Sequence, residues 1–134
     1  MTRRLSIIAL LLGVLSACAS ADPRFASPGD PRPSPSGRFT ATVALGPQQQ
    51  GVDTWVPVVT DAGTGREAFR DPAAYSARHG VGVTWASGSD ELWVLSGDVG
   101  TARISRGAGG HWVKTVFTPE TLDQLPAEIR ELSG

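Results

Sequence analysis

Apolar and polar residues alternate with period two through most of the chain beyond position 37, and that alternation predicts strands. Phe39, Ala41, Val43 and Leu45 alternate with Arg38, Thr40, Thr42 and Ala44, the pattern of a strand with one buried face. From Val52 to Thr60, Val52, Thr54, Val56 and Val58 share one face, with Trp55 and Val59 on the other. Pro57 has no N–H to give to a ladder, so this strand is expected at an edge or a bulge. Asp61 to Gly65 reads as a turn, Arg66 to Arg70 as its return strand, and Asp71 to His79 as a longer connection opened by Asp-Pro. Val81, Val83 and Trp85 share a face, and Leu92-Trp93-Val94-Leu95 is apolar on both faces, as in the centre of a sheet. Ala102 and Ile104 mark the next strand; Trp112 and Val116, with Val113 and Phe117 opposite, mark the last. The pattern predicts an all-β domain over 37–134, an antiparallel meander of about 7–8 strands forming a small sandwich or open barrel. At its end Thr118 reads as an N-cap, with Pro119 in the first helical position and Glu120 near the positive helix end. Pro126 interrupts the helical spacing of Leu122, Leu125 and Ile129, so two short helical turns are expected there.

Before position 37 the pattern is different. Arg3 and Arg4 precede an apolar run, Leu5 to Leu15, broken only by Ser6 and Gly13. About 11 residues fall short of the roughly 20 a bilayer-crossing helix needs but suit a signal-peptide core. The run ends in Leu15-Ser16-Ala17-Cys18, which resembles the bacterial lipobox at all four positions. That resemblance implies a signal peptide over 1–17, cleavage between Ala17 and Cys18, and diacylglycerol on the Cys18 sulfur. The protein would then be lipid-anchored to a cell membrane on its extracytoplasmic side. Two or more acyl chains, at about 0.8 kcal/mol per buried CH₂, suffice for stable anchoring.

Residues 19–36 contain Pro23, Pro28, Pro31, Pro33 and Pro35, with Phe25 as the one large apolar side chain. With Cys18 they read as a proline-rich tether that builds no core. In a polyproline II conformation such a stretch would reach roughly 55 Å.

Composition narrows the function. The chain has 134 residues, enough for one domain. Its 12 basic residues, less Arg3 and Arg4, leave 10 against 13 acidic ones, a formal charge of −3 after the cleavage point. A phosphate backbone demands a basic stripe that this balance does not offer, so nucleic acid is not an expected partner. A single cysteine excludes an internal disulfide and a thiolate metal site, and the lipobox accounts for it.

No catalytic constellation stands out. Asp71, Ser76 and His79 supply the residue types of a hydrolytic triad, but there is no Gly-x-Ser-x-Gly elbow. His111 alternates with Trp112 as a solvent-facing residue. No third ligand joins the two histidines at metal spacing. Asp90, Glu91 and Asp98 flank one hairpin without a calcium-loop pattern, and Gly107 to Gly110 lacks a phosphate-loop lysine. Neither a cofactor nor a metal is expected.

Trp55, Trp85, Trp93 and Trp112 lie on different expected strands. Trp55 and Trp93 oppose the main apolar face of their strands and are the ones expected at the surface. With Arg78 and His79 they form the expected interaction surface.

Ser34-Pro35-Ser36-Gly37-Arg38-Phe39 resembles the Ser-Pro-Asp-Gly-Arg-aromatic opening of a periplasmic propeller blade, with Ser36 in place of the aspartate. Ser87-Gly88-Ser89-Asp90-Glu91-Leu92 occupies the same place before another strand, and Phe39 and Leu92 are 53 positions apart. Two blades cannot close a propeller, so this resemblance implies two blade-like units in one small domain. The run from Arg78 to Gly100 is similar to a small group of uncharacterised bacterial proteins, which implies a β fold and no known activity. The leading expectation is a non-enzymatic, lipid-anchored β domain that binds another envelope component, a protein or a glycan. The alternative is a small-ligand or hydrolytic domain using the 71–79 connection.

Overall fold

The computed structural model describes residues 22–133; the expected signal peptide, the lipobox-like run and Cys18 lie outside the described residues. Ten strands form two antiparallel sheets. One sheet holds β1 (Phe25–Ala26), β7 (Val81–Trp85), β8 (Leu92–Ser96), β9 (Gly100–Arg106) and β10 (Trp112–Phe117), in that spatial order. The other runs β2 (Arg32–Pro33), β3 (Phe39–Leu45), β4 (Thr54–Asp61) and β5 (Glu67–Arg70), and β6 (Tyr75–Ser76) also pairs with β4. The result is an all-β sandwich of two four-stranded meanders, β2–β5 and β7–β10, rather than a closed barrel. The strands beyond the expected 7–8 are the two-residue β1, β2 and β6.

The core follows from the alternation. Phe39, Ala41, Val43 and Val59 from one sheet meet Val83, Leu92, Val94, Ala102 and Ile104 from the other, with Trp85 and Tyr75 beside them. Leu45 continues the inward face of β3 but lies exposed at its end.

Pro57 sits inside a sheet, opposite Val43 of β3. Its carbonyl accepts the Asp71 N–H on the side away from β3, and N and O of one residue point the same way along a strand. The missing N–H therefore faces the gap where β5, paired at 58–60, gives way to β6, paired at 54–55. The expected irregularity is present as a register shift between Val59 and Thr60.

The tether reading fails for residues 22–36. Phe25–Ala26 pairs with β7, while Arg32–Pro33 pairs with β3, so this stretch straps one sheet to the other. Ala26 and Ser34 are buried, and Trp85 Nε1 donates to the Arg32 carbonyl. Phe25 lies over Gly82, where a Cβ would come within 2.7 Å of its ring. The prolines occupy turns and the edge strand β2, where no ladder N–H is required. Phe25 is the segment's one large apolar residue, and small residues such as Ala26 and Ser34 otherwise close a core built by others.

The last segment covers the outer face of the β7–β10 sheet. Thr118 begins a 3₁₀ turn over Pro119–Gln124; its N–H donates to Thr121 Oγ1, 2.8 Å away. Pro126 separates this turn from α1 (Ala127–Ser133), as expected. Leu125 and Ile129 close a second cluster with Ala86, Trp93 and Phe117.

Strand direction gives the sandwich two poles. The chain enters the described structure beside Trp85, at the pole carrying the turns at 34–38, 61–66, 87–91 and 106–111. There Ser36 donates its backbone N–H and hydroxyl to the Asp90 carboxylate, so the two blade-like turns touch. The opposite pole carries the turns at 45–53, 77–80 and 96–100, joined where Gly97 N–H donates to the Gly80 carbonyl. Along the seven residues of β9 the poles stand about 20 Å apart.

Candidate functional site

The four residues expected to form one interaction surface are not brought together. Trp93 is fully buried. It projects from the second face of β8 and packs against Phe117 at 5.5 Å between ring centroids, beneath the C-terminal helical segment. The expectation of an exposed Trp93 fails because that segment covers the face taken for solvent. Trp55 is half-buried and packs on the main core. On β4 the inward face is the one bearing Trp55 and Val59; Val56 and Val58 are covered on the other. Trp112 meets Phe39 edge-on at 4.9 Å, and Trp85 is buried. Arg78 and His79 are exposed, on a 3₁₀ turn at the opposite pole from the chain's entry. With Gln49, Gln50, Ser76 and Asp98 they line an open polar cleft of about 410 Å³.

Asp71 belongs to a different cluster. Its side chain is fully buried, and its Oδ1 accepts Lys114 Nζ at 2.7 Å and the Ala73 N–H at 2.9 Å. Its Oδ2 accepts the Tyr75 hydroxyl at 2.8 Å, and Lys114 Nζ also donates to Tyr75 Oη at 2.8 Å. Burial first, then the Asp71 hydrogen bond and charge, push the Tyr75 phenol far above its ordinary value, so it stays protonated. Tyr75 is thereby fixed as a donor, and the carboxylate is spent on three donors, none of them His79. The cluster bolts β10 to the 71–75 connection of the facing sheet. The available signal was Lys114 itself, the sole lysine, sharing a strand face with Trp112 and Val116. A cation on a core-facing position demands a buried counter-ion.

Two further depressions lie at opposite poles. At the entry pole, Arg38, Phe39, Asp90, Glu91, Arg103, Ser105 and Arg106 line a cleft of about 440 Å³. The Arg38 and Arg106 guanidinium carbons stand 5.4 and 5.3 Å from the Phe39 ring centroid, and that of Arg103 stands 5.9 Å from both Trp93 and Phe117. Arg103 Nε is buried with no hydrogen-bond partner. Desolvation works against the Asp90 charge, yet the Ser36 hydrogen bonds and the Arg38 charge hold its carboxyl below the ordinary range. At the opposite pole Val99, Gly100, Phe117, Pro119, Leu122 and Leu125 line a mainly apolar groove of about 700 Å³. Val99 and Leu122 are 55% and 42% exposed in it.

Among the described residues no group of three His, Cys, Asp or Glu side chains is placed to hold a metal, and no helix is long and apolar enough to cross a membrane. No protein-family model, no curated protein and no solved structure matches the chain.

Proposed function

We propose that this chain is a lipid-anchored protein of the cell envelope whose β-sandwich is a non-enzymatic binding module for another envelope protein. The observation that carries the reading is the full lipobox, Leu15-Ser16-Ala17-Cys18, placed just ahead of a rigid domain that begins by Phe25. An anchor at Cys18 leaves four residues to Asp22, a reach of about 14 Å at most. The pole bearing Arg78, His79, Asp98, Val99 and Leu122 then points away from the lipid. Its polar cleft and apolar groove both include Asp98. Exposed Val99 and Leu122 favour a protein over a glycan as the occupant.

Two measurements test this. Metabolic labelling with a palmitate analogue should mark the full chain, and Cys18→Ser should abolish the label and release the protein from membranes. A photo-crosslinking residue at position 99 should capture one discrete envelope protein, whereas the same residue at position 64 should not. Labelling that survives Cys18→Ser, or crosslinking no more discrete at 99 than at 64, would defeat the reading.

A further inference from the structure

We infer that the entry pole rests on the membrane surface and that the Arg38–Arg103–Arg106 cleft takes the phosphates of anionic phospholipid headgroups. This deepens the reading above and rests on its anchor at Cys18.

The geometry comes from where the ordered chain starts. Arg24 is fixed to the domain by Glu128 at 2.7 Å and by contacts with Thr84 and the Trp85 carbonyl. The strap at 25–33 follows immediately, so no slack remains beyond residue 24. The three residues between Cys18 and Asp22, four Cα–Cα steps, cannot lift the entry pole more than about 14 Å above the lipid attachment point. That is less than the roughly 20 Å between poles. Across the sheets, the entry pole also holds Ser87, Asp90, Arg106 and the 34–38 turn. A membrane-anchored chain therefore presents the arginine cleft, and not the opposite pole, to the headgroups.

The chemistry of the cleft fits that occupant. Arg24 and Arg32 are paired to Glu128 and Asp30, but among the described residues no carboxylate oxygen lies within 4.0 Å of a cationic nitrogen of Arg38, Arg103 or Arg106. Glu91 and Asp90 share the cleft, and Asp90 is turned onto Ser36. The three cations exceed these two carboxylates by one charge. Arg38 and Arg106 both place their guanidinium groups over the Phe39 ring, and guanidinium forks suit phosphate oxygens bidentately. Arg103 Nε is buried and unpartnered, so Arg103 meets the cleft through the rest of its guanidinium.

The test uses the chain from Cys18 onward with Cys18→Ser, which keeps both hydrophobic clusters intact. Its cosedimentation is compared on phosphatidylcholine vesicles and on equimolar phosphatidylcholine–phosphatidylglycerol vesicles. The unsubstituted cleft should prefer the anionic vesicles. Arg38→Gln or Arg106→Gln should each weaken that partition about fivefold, and both together about 30-fold. Arg70→Gln, a charge removed from strand β5, should leave it within about twofold. No preference for anionic vesicles in the unsubstituted chain overturns the inference, whatever the variants do. An equal loss from Arg70→Gln overturns it too, since the attraction would then be diffuse. Inorganic phosphate should displace the protein more than chloride does at equal ionic strength; if phosphate binds the chain in solution while anionic vesicles gain no preference, the cleft binds a soluble anion and the inference falls. Palmitate labelling is scored separately: labelled protein without vesicle preference sinks the cleft and leaves the anchor standing, and the converse sinks the anchor.

Discussion

Replacing Lys114 by Met tests whether the Lys114–Asp71–Tyr75 cluster holds the sheets together. Met retains most of the aliphatic stem but supplies no donor. The Asp71 carboxylate would keep Tyr75 Oη and the Ala73 N–H while losing the ammonium 2.7 Å away. Its side chain is fully buried, so water cannot replace that partner without opening the interface. An uncompensated buried charge costs about 3–5 kcal/mol. For a domain near this size each kcal/mol lowers Tm by about 4–8 °C, so Lys114→Met should lose at least about 12 °C. Adding Asp71→Asn removes the stranded charge, and the double variant should recover to within about 2 kcal/mol of the parent. Urea unfolding followed by tryptophan fluorescence and circular dichroism, arranged as a double-mutant cycle, reads both numbers. A cost for Lys114→Met below about 1 kcal/mol, the range of an exposed pair, would refute the reasoning. So would a double variant no more stable than the single one.

The same phenol gives a pH prediction. The folded Tyr75 pKa is raised above an unfolded value near 10, so its contribution is complete below pH 10 and is lost as pH rises further; Tyr75→Phe should flatten that alkaline loss in pH-dependent urea melts. Asp90 runs the opposite way: its lowered pKa stabilises the fold above the ordinary carboxylate range and is lost on acidification. Ser36→Ala should raise the Asp90 titration midpoint in carboxyl NMR. Trp93→Ala should cost about 3–5 kcal/mol in chemical denaturation, since it leaves a cavity under Leu125 and Ile129. Gly82→Ala should push Phe25 off the sheet, and hydrogen exchange should rise over residues 22–30 before it rises in β7 and β8.

The sheet strands were legible wherever one residue in two was apolar. β3, β7 and β10 fall within the predicted runs, β9 extends one residue past its run to Arg106, and Thr118 and Pro126 punctuate the C-terminal turns as read. The inward face of β4 was not legible, because Val56 and Val58 imitate a core face and are themselves buried on the outer side, Val56 beside Gly46 and Ala74. Trp93 failed for the same reason. Alternation reports that two faces differ, and it cannot report that a second layer lies over the outer one. Of the expected interaction surface, only Arg78 and His79 stayed exposed, since charge and a neighbouring Gly80 at positive φ mark a turn directly. The arginine cleft was invisible along the chain because its members come from three turns or strands up to 68 positions apart (38 to 106).

The strap changes what the anchor would do. A proline-rich leash of roughly 55 Å would let the domain search the space above a membrane in any orientation. Reading Phe25–Pro33 as part of the sandwich shortens the reach to about 14 Å and fixes which pole leads. A domain anchored that closely would present one face to the headgroups and keep its opposite pole turned away from them. Any partner docking on Arg78, His79, Val99 or Leu122 must then reach over the domain, roughly 20 Å or more above the lipid. That height suits a protein with its own extracytoplasmic domain better than one whose exposed loops stay level with the headgroups. The distinction is measurable, because inserting a flexible segment between Cys18 and Asp22 should weaken capture from position 99 if orientation matters and leave it unchanged if the leash alone does the placing.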